Sequence, residues 1–324
     1  MNNDLKSIFS EHIMKFLSYK RGCGYKYIRE ENILKNLDKY IANQNVSTLV
    51  ITKECIDGWL SKRGLECPKT VEIRVTLYRQ FAYYLNDVGV KAYIPCAFYC
   101  NGKDSCFVPY IFSHEEIKRL FSAADDYAEK YKKRWNCDAI KQFPCIIRLA
   151  YSSGLRAGEI TKLKWEDFDS DKGIIIIREA KFGKERMLPL SSSMLSHMLE
   201  HSIHSNKRSG HIFSSRFIYP ISVKGIYRIY RKILWLANIP HQGRNKGPRF
   251  HDLRHTFAVH NLERWIINGE DVQFKLNVLS DYLGHESLAG TQTYLRLLPS
   301  MLPKIVERME SLIGRKIDGI GYGK

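Results

Sequence analysis

Apolar positions in the first third of the chain recur every three to four residues. Ile8, Ile13, Phe16 and Leu17 form one stripe, and Ile33, Leu34, Leu37 and Tyr40 form the next. Pro68 suits a first helical turn, and after it Val71, Val75, Tyr78, Phe81 and Leu85 keep the same spacing. Ile73 and Leu77 add a short alternation that would suit a strand, but the run to Leu85 is long for one and favours a helix. Residues 1–98 are therefore expected to form a helical N-terminal domain. The periodicity breaks over 99–112, where Asn101-Gly102 and Pro109 mark turns, so a linker is expected there. Ser113 and Glu116 then have the spacing of a capping box ahead of Ile117, Leu120 and Phe121. Further helices are predicted over 139–153, 192–202, 222–238, 251–267, 274–283, 287–296 and 302–313. Residues 173–178 and 186–190 predict two short strands around a turn at Phe182-Gly183. The pattern is mainly α with a small antiparallel β-sheet.

Charge narrows the partner. The 324 residues hold 51 Lys and Arg against 34 Asp and Glu, a formal net charge of +17, which suits nucleic acid or an anionic membrane surface. No apolar run approaches the roughly 20 residues needed to span a bilayer, and no secretory signal opens the chain. The eight cysteines form no Cys-x-x-Cys pair and are too sparse for a disulfide framework, so reduced thiols and a cytoplasmic location are expected. Cys96, Cys100 and Cys106 cluster, but no second ligand pair has zinc-like spacing, and no metal or other cofactor is expected. Basic charge is densest over 203–254, where Tyr219, Tyr227, Tyr230 and Trp235 are interleaved with it and Asp252 is the only acidic residue. Arg228, Arg231 and Lys232 fall on one predicted helix that would face DNA, and Arg244 and Lys246 lie in a Gly-flanked loop suited to a phosphate backbone.

Three segments carry candidate chemistry. In Ser153-Gly154-Leu155-Arg156, a helix ends at glycine and Arg156 opens the next element, where a guanidinium and a helix N-terminus can hold a phosphate; Glu159, one turn on, can orient Arg156. In His251-Asp252-Leu253-Arg254-His255, positions 251, 254 and 255 share a helix face, offering a second guanidinium and two imidazoles. The same two histidines have a zinc-binding spacing, but Asp252 stands where a metalloprotease helix needs Glu. In Leu283-Gly284-His285, a glycine-flanked histidine precedes Tyr294 by nine residues, and a tyrosine so placed invites the role of nucleophile.

The ordered set Arg156, Lys181, His251-x-x-Arg254, His285 and Tyr294 resembles the tyrosine recombinase/phage integrase family. The stretch 265–279, with its Trp and Gly-x-Asp ahead of Leu-Gly-His, is similar to that of transposon-encoded integrases. The resemblance implies a two-domain, C-shaped clamp: a SAM-like core-binding domain over 1–98, a catalytic domain over 113–300, and a C-terminal helix and tail over 301–324 that docks on a neighbouring subunit. It implies a bacterial, nucleoid-associated enzyme that cuts and rejoins DNA through a 3′-phosphotyrosine, without metal or ATP. As implied roles, Tyr294 attacks phosphorus; Arg156, Arg254 and His285 hold the non-bridging oxygens; His251 assists proton removal; and Lys181 protonates the leaving 5′-oxygen. Lys184 competes for that last role, and Glu159 and His255 support the site. The implied partners are a double-stranded recombination site, three further copies in a synaptic tetramer, and companion recombinases of the same mobile element. A type IB topoisomerase, a chromosome dimer resolvase and an inactive DNA-binding regulator are the alternatives the same residues leave open.

Overall fold

The computed structural model describes residues 5–44, 46–64, 66–98, 108–134, 137–178, 185–205, 209–215, 219–241, 243, 247–285 and 287–297. The chain splits into two compact units, Met1–Val108 and Pro109–Lys324. The first unit holds four helices, α1 (Ser10–Gly22), α2 (Ile28–Asn43), α3 (Lys53–Leu60) and α4 (Pro68–Asp87). Their apolar stripes meet in one core, with Phe9, Ile13, Phe16, Leu34, Leu37, Ile41, Trp59, Tyr78 and Phe81 all buried. Residues 71–77, where alternation competes with helical spacing, lie within α4, because Val71, Val75, Tyr78, Phe81 and Leu85 bury one face together. Ile8 is the exception to the expected stripe: it is exposed, and Phe9 takes the buried position.

The second unit begins with Phe112, which is fully buried and donates its main-chain N–H to Thr256 Oγ1 at 3.1 Å. Residues 109–112 thus belong to this unit and not to a linker. The Ser113–Glu116 capping box opens α5 (His114–Lys130), each residue's side chain accepting from the other's main-chain N–H. There follow α6 (Asp138–Lys141), α7 (Phe143–Ser153), α8 (Ala157–Lys162), a 3-10 turn (Trp165–Asp167), β1 (Phe168–Asp169), β2 (Ile174–Ile177), β3 (Arg186–Pro189) and α9 (Ser192–Ser205). The order closes with β4 (Ser214–Ser215), β5 (Tyr219–Pro220), α10 (Val223–Leu236), α11 (Asp252–Asn268), α12 (Val272–Leu283), α13 (Leu288–Gln292) and a 3-10 turn (Thr293–Leu297).

The three-stranded sheet is antiparallel in the order β1-β2-β3, and its register sets Ile175 opposite Leu188 and Ile177 opposite Arg186. Ile175, Ile177 and Leu188 face the core, so a one-residue slip would turn all three to the other face. That register fixes Arg186, paired with Ile177, at the end of the ladder nearest the connecting turn. The expected turn at Phe182-Gly183 and the expected helix over 302–313 lie outside the described residues. Among the described residues no helix is long and apolar enough to cross a membrane.

Candidate active site

Two helix C-termini build the floor of the site. α7 stops at Gly154 and α12 at Gly284, both in the left-handed region at φ +61° and +67°, where a glycine avoids the steric cost of a side chain. Their last carbonyls converge on Arg254 of α11. Its Nη1 donates to the Gly154 carbonyl at 2.8 Å and its Nη2 to the Leu283 carbonyl at 2.7 Å. The guanidinium is 1% exposed. Carbonyls at the negative ends of two helices hold it in place. Burial, then the nearby charge of Arg156, lower its pKa to about 10, which leaves it a cation at neutral pH.

Arg156 caps the start of α8, half-buried. Its Nη1 donates to Glu159 Oε1 at 2.8 Å, and its main-chain N–H to Glu159 Oε2 at 2.9 Å. Glu159 is buried, as an orienting carboxylate must be. Arg186, the first residue of β3, grips the same carboxylate. Two guanidiniums share this one carboxylate and Arg254 adds a third positive charge, so the site is net positive, an arrangement fit for an anion.

The imidazoles gather against Tyr294, which is 3% exposed in the last 3-10 turn. The Tyr294 ring lies 5.6 Å from that of His255 and 6.0 Å from that of His285, and His251 packs edge-on against His255 at 4.9 Å. Burial raises the Tyr294 pKa, against a hydrogen bond and charge from Arg254 and the charge of Arg156. All three histidines stay neutral at pH 7. Burial, then neighbouring positive groups, lower His251 to about 3, His255 to about 4 and His285 to about 4.

Arg156, Glu159, His251, Arg254, His255, His285 and Tyr294 thus come together from α8, α11, the α12 terminus and the last turn. Lys181 and Lys184 lie outside the described residues, as do Arg244 and Lys246. Arg228, Arg231 and Lys232 are exposed on α10, whose buried face of Ile226, Ile229, Tyr230 and Ile233 turns the basic face outward. Asp252 is buried and accepts the main-chain N–H of Arg249 at 2.8 Å, which ties down the entry to α11.

Two members escape sequence reasoning. Arg186 reads there only as part of a strand. Thr291 is fully buried, and its Oγ1 lies 2.7 Å from His285 Nδ1. The Thr-x-x-Tyr spacing was the only signal for it.

The sequence model of the phage integrase family matches residues 111–301. A putative integrase/recombinase of Sinorhizobium fredii is 28% identical over 314 residues, 94% of this chain and 98% of that protein. The tyrosine recombinase XerA of Pyrococcus furiosus is 30% identical over 222 residues, 66% of this chain and 68% of that protein. Among solved structures, the Tn1549 transposon integrase in complex with transposon right end DNA superposes with a TM-score of 0.61 at 14% identity, covering 94% of this chain and 98% of that one.

Proposed function

Because the chain belongs to the phage integrase family and so is a site-specific DNA recombinase of the tyrosine type, we propose that Tyr294 is the nucleophile that cuts its DNA. The observation that carries this reading is the position of Tyr294 itself, a buried phenol held to the Arg254 guanidinium and flanked by His255 and His285. Tyr294 Oη attacks the scissile phosphorus, the bond to the 5′-oxygen breaks, and a 3′-phosphotyrosine and a free 5′-hydroxyl result. Negative charge gathers on the non-bridging oxygens, where Arg156 and Arg254 stabilise it. A phenol whose pKa is raised needs a base, and His251 is assigned that role, with His255, whose ring lies between it and Tyr294, supporting it.

His285 donates a hydrogen bond to the same oxygens. That role requires the tautomer with the proton on Nε2, so the Thr291 hydroxyl donates to Nδ1. Lys181 is the general acid for the 5′-oxygen, with Lys184 the competing residue. Energy conserved in the phosphotyrosine permits rejoining without ATP, and Arg156, Arg254 and Lys181 take the charge-stabilising part that metal ions play at other phosphoryl-transfer sites.

The partner is double-stranded DNA, by analogy with the Tn1549 transposon integrase, which shares this fold and was solved bound to transposon end DNA. The exposed basic face of α10, with Arg228, Arg231 and Lys232, meets the DNA backbone; Arg244, Lys246 and Lys184 are assigned to the same task from the sequence alone. The working form is a homo-oligomer, a tetramer on two duplexes, in which residues 301–324 dock on a neighbour. The full-length likeness to an integrase/recombinase supports a mobile-element role, with companion recombinases of the same element, inside a bacterial cytoplasm. The test uses a nicked duplex carrying a site selected from random sequence. The wild-type chain traps a covalent adduct, and Tyr294→Phe binds equally but traps none; an adduct in that variant would refute the assignment.

A further inference from the structure

Glu159 is shared between two arginines, and the second, Arg186, reaches further. Its Nη1 and Nη2 donate to Glu159 Oε1 and Oε2 at 3.1 and 3.0 Å. Its Nε donates to the Tyr282 carbonyl at 3.0 Å. The side chain is 11% exposed. Tyr282 stands two residues before Gly284 and three before His285, and the intervening Leu283 carbonyl holds Arg254. A Cβ at Gly284 would sit 3.0 Å from Arg186 Nη1, so the turn is pressed directly on this guanidinium.

Only a planar fork can span a carboxylate and a carbonyl on separate segments with three N–H groups at once. The fork also changes what Glu159 does. Bound to Arg156 alone, the carboxylate would neutralise the cation it orients. Divided between two guanidiniums, it fixes Arg156 while leaving net positive charge toward the pocket. Burial alone would raise the Glu159 pKa, but the bonds and charge of Arg186, with those of Arg156, outweigh it and hold the carboxyl below its usual value.

We propose that Arg186 is a positioning residue for the phosphate ligands: through Glu159 it sets the Arg156 guanidinium, and through the Tyr282 carbonyl it sets the turn that carries His285. The inference rests on the reading of Arg156 and His285 as phosphate ligands. No contact of Arg186 with DNA is required.

The test measures single-turnover adduct formation by the full chain on a saturating nicked duplex, because a rate constant does not depend on the folded fraction. Arg186→Met is expected to lose about 10-fold in rate with DNA affinity unchanged, a loss typical of slightly misplaced groups. On a duplex with a neutral methylphosphonate at the scissile position there is no charge for Arg156 to meet, and the loss should shrink to about twofold or less. Arg186→Lys keeps the charge but not the fork, and its rate should fall between the two. A rate for Arg186→Met within twofold of wild type, or an equal loss on both duplexes, would overturn the inference and leave Tyr294 untouched. If Arg186→Met does not fold, Arg186→Lys is judged by the same two criteria. Failure of the wild-type chain to form an adduct would instead overturn the site reading, and this inference with it.

Discussion

Replacing Thr291 with Val removes one hydroxyl and keeps the shape of the side chain. In the structure that hydroxyl sits 2.7 Å from His285 Nδ1, and Thr291 is fully buried, so no water can take its place. His285 is neutral, with its pKa lowered to about 4, first by burial and then by Arg254 and Arg156. Its one proton must therefore sit on a single nitrogen. With Thr291 donating to Nδ1, the proton is on Nε2 and can be given to a phosphate oxygen. Without Thr291, the proton is free to move to Nδ1, and the donor is lost in that fraction of molecules. The bond is worth about 1 kcal/mol, which corresponds to a factor of about five in tautomer ratio. The ceiling is the full loss of an oxyanion donor, about 100- to 1,000-fold. Thr291→Val should thus slow single-turnover cleavage about two- to fivefold with DNA affinity unchanged, since a fivefold change in tautomer ratio lowers the active fraction by at most that factor, and Thr291→Ser should retain most of the rate. Equal rates for wild type and Thr291→Val, or equal losses for Val and Ser, would refute the tautomer argument.

Three more outcomes are expected. Gly154→Ala strains a left-handed backbone and sets a Cβ 2.6 Å from Leu283 Cδ2, so thermal denaturation should show a loss of about 1–3 kcal/mol together with slower cleavage, since the Gly154 carbonyl holds Arg254. His251, His255 and His285 have folded pKa values of about 3 to about 4, below the 6.5 of a free imidazole, so the unfolded chain binds more protons between these limits. Their contribution to stability is present above pH 6.5 and lost as pH falls toward 4; the thermal midpoint should drop over that window, and less steeply in His255→Gln. Lys181→Ala should slow cleavage of an ordinary duplex and recover on one with a 5′-thiolate leaving group, which needs no general acid; if Lys184→Ala alone behaves so, the general acid is Lys184.

Much of this was legible in the sequence because helices advertise themselves by spacing. The stripe ending at Leu85, the Ser113–Glu116 box and the glycines at 154 and 284 each state a local rule that tertiary packing then obeys. Arg156, Arg254, His285 and Tyr294 were legible as an ordered set, although nothing local said they would meet. What holds them was not legible. Arg254 rests on carbonyls 100 and 29 positions away, and Arg186 bonds Glu159 across 27 positions, contacts that only the folded chain creates. Thr291 carries no signal beyond its nearness to Tyr294, because one buried hydroxyl leaves no periodicity. Phe9 replaced Ile8 in the first core because Phe9 stands four residues before Ile13 and its carbonyl takes the first helical hydrogen bond from it, whereas Ile8 stands five before and falls off the stripe.

The central claim is that Tyr294 becomes covalently joined to a DNA 3′ end. Peptide mapping by mass spectrometry of the adduct trapped on a nicked duplex tests it most directly. The account predicts a nucleotide on the peptide containing Tyr294, linked through a 3′-phosphate, with a free 5′-hydroxyl on the released strand. A nucleotide on any other residue, or a 5′-phosphate linkage, would contradict it.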